Sequence, residues 1–260
     1  MSNIYNFFLD IDGTLLPKDK STLNDEVINA LEFAHSKGCK IFINTGRTLA
    51  FVPYFLKTLD SIDGFCCGCG TYVEYNGTPI FEHYMSTEQI IRVVDEFISR
   101  RLDSDLILEG YDRMYYVGNR SDWYTDNLFI HVDSSDYFKS LKFDPKVQKF
   151  STHSKLECRY DFFNAISDEF DTMVFNHYCE TVPLGFDKGK ALLLTEKLLG
   201  LDHELSVAVG DSLNDAAMLK CAKTSVAMGN ATDDVKDMCD IITDTSENNG
   251  VAKIIYQLLS

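Results

Sequence analysis

The segment IYNFFLDIDGTLL, residues 4–16, constrains the fold more than any other stretch of the chain. Five of the six residues from Ile4 to Leu9 are apolar or aromatic and they do not alternate with polar residues, which is typical of a parallel strand buried on both faces. Two carboxylates, Asp10 and Asp12, then follow two residues apart, before Gly13. In an open α/β sheet, ligands bind in the crevice outside the carboxyl ends of the strands. The segment therefore predicts two acids at a binding edge.

Both ends of the chain alternate strands with helices, which predicts a doubly wound parallel sheet of the Rossmann-like α/β class. Beyond the first strand, we predict strands over Lys40–Asn44, Leu205–Val209 and Ser225–Met228. We predict a first helix that starts at a capping-box-like pair, Thr22 and Asp25, and stops at Gly38. A second helix is predicted from Leu49 to Leu59, with Pro53 in its first turn. A third is predicted over Asn214–Cys221.

The middle of the chain has a different pattern, with short strand-like runs punctuated by glycine, asparagine and aspartate. We predict a helix over Glu88–Arg101 and strands over Asp105–Glu109, Met114–Val117, Leu128–Val132 and Thr172–His177. This pattern indicates an α+β cap domain over residues 81–183, inserted into a core domain formed by residues 1–80 and 184–260.

The charge balance excludes several classes of partner. The net charge is −16, from 24 basic and 40 acidic residues, with a pI near 4.7. Nucleic acid and anionic membranes are therefore not expected as partners. The sequence has neither an apolar run that could span a bilayer nor a secretory leader, so we expect a cytoplasmic protein.

The eight cysteines are expected to be reduced and to serve as small apolar side chains. Cys66, Cys67 and Cys69 suggest a metal or redox site, but no second ligand pair follows at a suitable spacing. A strand and turn that carry thiols is the simpler interpretation.

Polar residues at the predicted strand ends form a candidate phosphate site. Asp10 and Asp211 offer the hard oxygen ligands that suit Mg²⁺. Thr45 offers a hydroxyl group, and Lys188 and Lys190 each offer a positive charge. The backbone N–H groups of the turn at residues 12–14 could face an anion. Such a site would hold an anionic substrate on a strongly acidic protein.

Each motif taken alone has a structural explanation. D-x-D-G can be a turn that ends a strand, and GDSLND can be a strand-to-helix turn with a capping aspartate. Lys-Gly-Lys and Thr-Gly-Arg are weak signals by themselves. Because all four occur in this order at strand ends, coincidence is a poor explanation.

The motifs DIDGTLL (10–16), NTGR (44–47), GFDKGKAL (185–192), GDSLND (210–215) and AMGNA (227–231) resemble the haloacid dehalogenase superfamily, and most closely its Cof-type hydrolases with a large α/β cap. The match covers residues 4–80 and 183–258. The chain departs from this family at Cys69-Gly70, where relatives usually carry Asn-Gly. The resemblance implies an Mg²⁺-dependent phosphatase that acts on a small phosphorylated metabolite such as a sugar phosphate, as a monomer or weak homo-oligomer.

The resemblance also implies a role for each matched residue. Asp10 would be the nucleophile that forms an aspartyl-phosphate, and Asp12 the general acid and base. The remaining implied roles are phosphate binding by Thr45, Gly46, Lys188 and Asn214, metal binding by Asp10, Asp211 and the Asp12 carbonyl, and support by Gly13, Arg47 and Asp215. The family pattern favours Lys188 over Lys190, which is expected to face solvent. Arg47 could reach the substrate or the cap, or form a surface ion pair.

Two alternatives stay open. Phosphomannomutases share the D-x-D-G-T start and a similar cap, although NTGR and AMGNA favour the hydrolases. A phosphometabolite sensor without catalysis is the non-enzymatic alternative, although such proteins usually lose a catalytic residue.

Overall fold

The computed structural model describes residues 4–17, 20–100, 104–118, 128–153, 160–175 and 178–260. The chain divides into two compact units. The first, which we call the core unit, comprises Met1–Arg47, Phe51–Glu82 and Asp187–Ser260, and the second, the cap unit, comprises Thr48–Ala50 and His83–Phe186. Among the described residues, no helix is both long and apolar enough to cross a membrane.

The core unit follows the alternation of strands and helices expected at both ends of the chain. Its elements are β1 (Asn6–Leu9), α1 (Asp25–Ser36), β2 (Lys40–Asn44), α2 (Tyr54–Lys57), β3 (Gly64–Cys67), β4 (Tyr72–Tyr75), β5 (Thr78–Glu82), α6 (Lys188–Leu199), β12 (Ser206–Gly210), α7 (Ala216–Cys221), β13 (Thr224–Ala227), α8 (Asp233–Lys236), β14 (Ile241–Ile242) and α9 (Gly250–Leu259).

The core sheet has eight strands in the order β14-β13-β12-β1-β2-β3-β4-β5. The six strands from β14 to β3 are parallel, and β4 and β5 continue the sheet as an antiparallel edge. Phe8 and Phe42 contribute to a hydrophobic cluster with residues of α6 and α7, whereas Phe7 and Ile41, which point to the opposite face, are also completely buried. Burial on both faces explains the continuous apolar sequence of the central strands. The predicted α/β fold class is confirmed.

Two helix predictions in the core unit are wrong in detail. Helix α1 begins after Asn24, which makes no side-chain capping bond, so the expected capping box at Thr22 and Asp25 is absent. The segment predicted as one helix from Leu49 to Leu59 contains a 3₁₀ turn over Leu49–Phe51 and the short helix α2. Pro53 immediately precedes α2, and proline is tolerated at a helix start but not in a helix interior, because it lacks an N–H group and has a fixed φ.

The cap unit is an α+β unit of its own. Its elements are α3 (Thr87–Ser99), β6 (Asp105–Gly110), β7 (Met114–Val117), β8 (Phe129–His131), α4 (Asp136–Ser140), β9 (Val147–His153), α5 (Tyr160–Ile166), β10 (Phe170–Val174) and β11 (Cys179–Pro183). Its six strands lie in the order β10-β11-β9-β6-β7-β8. The sequence prediction located α3, β6, β7, β8 and β10 but missed β9 and β11. Two predicted ends, Arg101 and His177, lie outside the described residues.

Alternation along the cap strands separates an apolar face from a charged row. Phe150 and Leu108 belong to the hydrophobic cluster that packs with the cap helices. The neighbouring positions place the Lys149 ammonium group between the carboxylates of Glu109, at 3.4 Å, and Glu180, in direct contact. All three charged residues are buried. Burial raises the pKa of Glu109, and the nearby Glu180 charge raises it further, whereas Lys149 opposes the shift.

Candidate active site

Three neighbouring parallel strands of the core unit bring the predicted site residues together. Strand β1 leads into Asp10, β2 leads into Thr45 and β12 leads into Asp211. Because β1 pairs with both β2 and β12 in parallel, all three residues lie at the same edge of the sheet. The Asp10 N–H group continues this pairing, since it donates to the Val209 carbonyl oxygen at 3.1 Å.

The Lys188 ammonium group lies between two buried carboxylates. Its Nζ donates to Oδ1 of Asp10 and to Oδ1 of Asp215, each at 2.6 Å, and lies 3.4 Å from Oδ1 of Asn214. Lys188 is 1% exposed and Asp10 is 3% exposed. Lys188 is the first residue of α6, whose preceding residue, Asp187, caps the helix through the Lys190 N–H group. The helix start therefore directs one lysine into the site.

Burial and neighbouring charges shift the protonation of this network. Desolvation by burial raises the pKa of Asp10 to about 8; the Asp215 charge adds to the increase, and the Lys188 charge opposes it. Burial by itself would lower the pKa of Lys188, but the adjacent Asp10 and Asp215 carboxylates hold that pKa well above its ordinary value. The lysine is therefore a permanent cation that compensates buried negative charge.

Asp10, Asp211 and Asp215 form a buried acidic cluster that fits a hard divalent cation. One carboxylate oxygen of each lies within 4.8 Å of the others. When all three carboxylates are ionised, their charge exceeds the single Lys188 charge, and carboxylate oxygens are the ligands that Mg²⁺ prefers. Both oxygens of Asp215 have further hydrogen-bond donors, since Oδ2 accepts from the N–H groups of Asp211 and Ser212. Both Asp215 oxygens are thus engaged as hydrogen-bond acceptors, which suits this residue to holding the Lys188 ammonium group in position.

The glycine of the first motif packs directly against this cluster. Gly13 has a φ of +85°, and a Cβ atom there would lie 2.2 Å from Oδ2 of Asp211. Only glycine allows both the left-handed backbone and this close approach. The N–H groups of Gly13 and Thr14 donate to the carbonyl oxygens of Leu16 and Ile11 within the turn. The expectation that these two amides face an anion is therefore wrong, because the tight turn uses both.

The Asp12 side chain lies outside the acidic cluster and pairs with Arg47. Arg47 Nη2 lies 2.6 Å from Oδ1 of Asp12, and Nε lies 2.8 Å from Oδ2, which is a two-point contact. Arg47 is itself fixed by a hydrogen bond from Nη1 to the Phe51 carbonyl oxygen at 3.0 Å. The Asp12 side chain is 58% exposed. Of the roles considered for Arg47, the structure assigns an ion pair, and its partner is the predicted acid and base.

The loop at residues 45–47 is held in place by the turn that follows β3. Thr45 is buried, and its Oγ1 accepts the Arg47 N–H group at 3.2 Å. The N–H groups of Gly68 and Cys69 donate to the carbonyl oxygens of Arg47 and Thr45. Cys69 adopts a left-handed conformation with a φ of 54°. At Cys69, where the sequence departs from the family pattern, the contact with the loop at residues 45–47 is thus made by the backbone. Gly46 lies between the two fixed residues.

The neighbouring thiols are structural in this arrangement. Cys66, Cys67 and Cys69 are buried, and Cys66 and Cys67 form no disulfide. Burial raises the pKa of the Cys66 thiol to about 12 and that of Cys67 well above its usual value. Because a thiolate is the reactive and metal-binding form, Cys66 and Cys67 are poor nucleophiles and ligands. Lys190, in contrast to Lys188, has a side chain 57% exposed, as expected.

Sequence reasoning missed two asparagines that contact the site residues. Asn44 is completely buried, and its Nδ2 donates to the Lys188 carbonyl oxygen at 2.8 Å. Asn230 donates from Nδ2 to the Gly13 carbonyl oxygen at 2.8 Å. Both residues lie inside quoted motifs, NTGR and AMGNA, but their contacts depend on the folded chain.

Comparison with known proteins agrees with this geometry. A family model described as haloacid dehalogenase-like hydrolase matches residues 7–255. The 5-amino-6-(5-phospho-D-ribitylamino)uracil phosphatase YcsE of Bacillus subtilis strain 168 is 29% identical over 247 residues, covering 95% of this chain and 92% of that protein. The pyridoxal phosphate phosphatase YbhA of Escherichia coli strain K12 is 27% identical over 281 residues, covering 96% and 97%. A solved structure of the HAD subclass IIB sugar phosphatase BT4131 has a TM-score of 0.83 at 24% identity, with 97% and 98% coverage, which supports the fold.

The fold and the site together define a phosphoric monoester hydrolase, with a doubly wound core and an inserted α+β unit. The chain belongs to the haloacid dehalogenase-like hydrolases, whose family model spans nearly its whole length. The family and the enzyme class expected from the motifs are confirmed.

Proposed function

We propose that this protein is an Mg²⁺-dependent phosphatase that hydrolyses a small phosphorylated metabolite, in particular a sugar phosphate, through an aspartyl-phosphate, an acyl phosphate formed on Asp10. The observation that carries the proposal is the separation of the two aspartates in the first motif. Asp10 is buried against Lys188, whereas the Asp12 side chain is exposed and paired with Arg47. Two carboxylates in such different environments suit two different tasks.

The proposed reaction has two steps. A carboxylate oxygen of Asp10 attacks phosphorus and forms a new P–O bond, while the bond from phosphorus to the leaving oxygen breaks. Protonated Asp12 gives its proton to that oxygen, because an alkoxide is a poor leaving group. Water then attacks phosphorus, Asp12 accepts the proton, and the bond to Asp10 breaks to release inorganic phosphate. General acid and base assistance of this kind is typically worth about 10²–10⁴-fold.

Charge neutralisation is the second requirement, since a carboxylate and a phosphate dianion repel each other. Asp10, Asp211 and the Asp12 backbone carbonyl would hold Mg²⁺, which supplies electrostatic stabilisation at the transferring phosphoryl group when it is bound. Lys188 would contact the same oxygens, with Asp215 keeping its ammonium group in position. Thr45, Gly46 and Asn214 would complete the phosphate contacts.

The substrate class is supported by the relatives. The names of YcsE and YbhA describe phosphatases of a phosphoribityl compound and of pyridoxal phosphate. Both are small molecules that carry one phosphate monoester. The strongly acidic chain supports neither nucleic acid nor an anionic membrane as a partner. Cys39, Cys66 and Cys67, which form no disulfide, support a reducing, cytoplasmic location, and a monomer or weak homo-oligomer completes the proposal.

The test is a phosphate-release screen with Mg²⁺ over sugar phosphates, nucleotides and pyridoxal phosphate. Asp10→Asn should lower release to the level of the blank with every substrate, because an amide is not a nucleophile of comparable strength. Asp60→Asn is the matched control, since Asp60 is an exposed residue of the same unit. It should retain wild-type activity.

Three results would contradict the proposal in different ways. Turnover by Asp10→Asn would refute the nucleophile. Isomerisation of glucose 1-phosphate or mannose 1-phosphate without phosphate release would indicate the mutase alternative. Binding of phosphorylated compounds without turnover across the whole panel would indicate a sensor.

A further inference from the structure

We infer that Asn230 is a positioning residue for the cation site, which holds the turn of the first motif against the carboxylate of Asp211. Its Nδ2 donates to the Gly13 carbonyl oxygen at 2.8 Å and lies 3.4 Å from Oδ2 of Asp211. Its Oδ1 accepts the N–H group of Ser246 at 2.9 Å. One amide thus joins three segments that are far apart in sequence. The inference rests on the proposed Mg²⁺ site and adds a residue to it.

Gly13 is the residue through which Asn230 acts on the turn. Its α-carbon faces the Asp211 carboxylate so closely that an added Cβ would lie 2.2 Å from Oδ2. Its carbonyl oxygen accepts from Asn230. The position of Gly13 is therefore set from two sides, by a carboxylate and by an amide. Asp10 and Asp12 precede Gly13 by three residues and one residue, so a shift of the turn would move two of the groups proposed to bind the ion.

The orientation of the Asn230 amide is set by a second loop. The acceptance of the Ser246 N–H group fixes which end of the amide carries the oxygen, so that the NH₂ group is directed to Gly13. The adjacent residue strengthens this link, because the Gly229 N–H group donates to the Asp244 carbonyl oxygen at 3.0 Å. Gly229 also packs so tightly that a Cβ there would lie 2.8 Å from the Thr245 nitrogen. The loop at residues 244–246 therefore contributes to the site through Asn230.

An amide is chemically suited to this task. It donates to the Gly13 carbonyl oxygen and lies near Asp211 without adding charge, so it can orient a ligand carboxylate without competing for the cation. Groups that orient metal ligands typically contribute about 10- to 100-fold to metal affinity. Asn230 is itself exposed, which places the expected effect at the lower end of that range. Loss of its amide should weaken Mg²⁺ binding about tenfold.

The test measures the Mg²⁺ dissociation constant by calorimetry with Mg²⁺ alone and no substrate. Asn230→Ala should raise this constant about tenfold relative to wild type. Asn248→Ala is the matched control, because the Asn248 amide donates to Oδ1 of Asp244 in the same loop region, and none of its hydrogen bonds within the described residues reaches the acidic cluster. Its dissociation constant should equal that of wild type. Circular dichroism establishes that each variant is folded at the temperature of the titration.

A second measurement uses the wild-type chain and needs no variant. If Asn230 joins the two segments, saturating Mg²⁺ should slow amide hydrogen exchange in a peptide that contains Ser246, although Ser246 belongs to neither motif with a proposed ion ligand. Asn230→Ala should lose this protection where it folds. A purely structural role for Asn230 would change the melting temperature without making exchange at Ser246 depend on Mg²⁺.

The outcomes separate this inference from the proposed function. Equal Mg²⁺ affinity of wild type and folded Asn230→Ala, or exchange at Ser246 that ignores Mg²⁺, would refute the positioning role and leave the phosphatase proposal intact. Failure of the wild-type protein to bind Mg²⁺ would refute both the metal dependence and the role of Asn230. Absence of phosphate release from a protein that binds Mg²⁺ would refute only the phosphatase.

Discussion

Replacement of Lys188 by Met should destabilise the core unit strongly, because it leaves two buried carboxylates without their common cation. The Lys188 Nζ lies 2.6 Å from an oxygen of Asp10 and 2.6 Å from an oxygen of Asp215. At an effective dielectric constant of about 20, each contact is worth roughly 6 kcal/mol of attraction before desolvation is counted. Desolvation and carboxylate repulsion offset most of this sum. Removing one partner of a buried ion pair typically costs about 3–5 kcal/mol, which is the expected loss here.

Lys190→Met is the matched control for this prediction. It lies two residues further along the same helix, but its side chain is 57% exposed and its ammonium group is 3.8 Å from Asp187. An exposed pair of this kind contributes at most about 1 kcal/mol. Urea denaturation at neutral pH without divalent cations gives the free energy of unfolding of both variants. Phosphate release should be lost in Lys188→Met and retained in Lys190→Met.

Addition of Mg²⁺ provides an internal check on the physical reason. A divalent cation compensates the same carboxylates, so Mg²⁺ should raise the free energy of unfolding of Lys188→Met more than that of wild type. A Lys188→Met protein no less stable than Lys190→Met would refute the reasoning, because the lysine would then not be compensating buried charge. Equal stabilisation of wild type and variant by Mg²⁺ would contradict the assignment of the acidic cluster as the cation site.

Three further predictions test other parts of the two units. Asp12→Ala should retain Mg²⁺ binding in a calorimetric titration, whereas Asp211→Ala should lose it, because Asp12 is proposed to bind the ion only through its backbone oxygen. Equal losses of Mg²⁺ binding in both variants would refute this assignment. Arg47→Ala should lower kcat about tenfold for an alkyl phosphate and much less for p-nitrophenyl phosphate, because only the alkoxide, a poor leaving group, needs a well-placed Asp12 to protonate it. Equal losses with both substrates would assign Arg47 a different role. Glu109→Gln should remove a pH dependence from the stability of the cap unit. Because the pKa of Glu109 is raised in the folded state, the wild type loses stability as pH rises above about 4.5. Urea denaturation should therefore show the variant becoming more stable relative to wild type with rising pH, provided that Lys149 keeps its contact with Glu180. A difference that does not change with pH would refute this.

The parts of the fold that were predictable from sequence are those with a strong local pattern. Strands β1, β2 and β12 are short apolar runs that end at a polar residue, and parallel pairing then places their ends at one edge. The cap strands β9 and β11 escaped prediction for the opposite reason. Their segments mix apolar and charged residues, because Lys149 and Glu180 are buried as partners of each other. Burial of a paired charge has no signature in a hydrophobic pattern.

The start of helix α1 was also predicted wrongly from its local sequence. The residues around Thr22 carry a capping pattern, yet helix α1 starts after Asn24, whose side chain instead donates to Asn249 at 2.6 Å. The two asparagines are 225 residues apart in the sequence. The residue at the start of α1 therefore bonds to a distant segment and makes no local capping bond.

By itself, the sequence determined the family, the α/β class and the residue types at the site, because strands, turns and motifs are encoded over a few neighbouring positions. Only the tertiary structure decided the partner of each side chain. Lys188 reaches both Asp10 and Asp215, and Arg47 takes Asp12 away from the acidic cluster. Such contacts join residues from separate strand ends, and their distances depend on how the whole sheet pairs and packs. The residue types could therefore be predicted from the chain, whereas the electrostatic environment that distinguishes Asp10 from Asp12 arises only on folding.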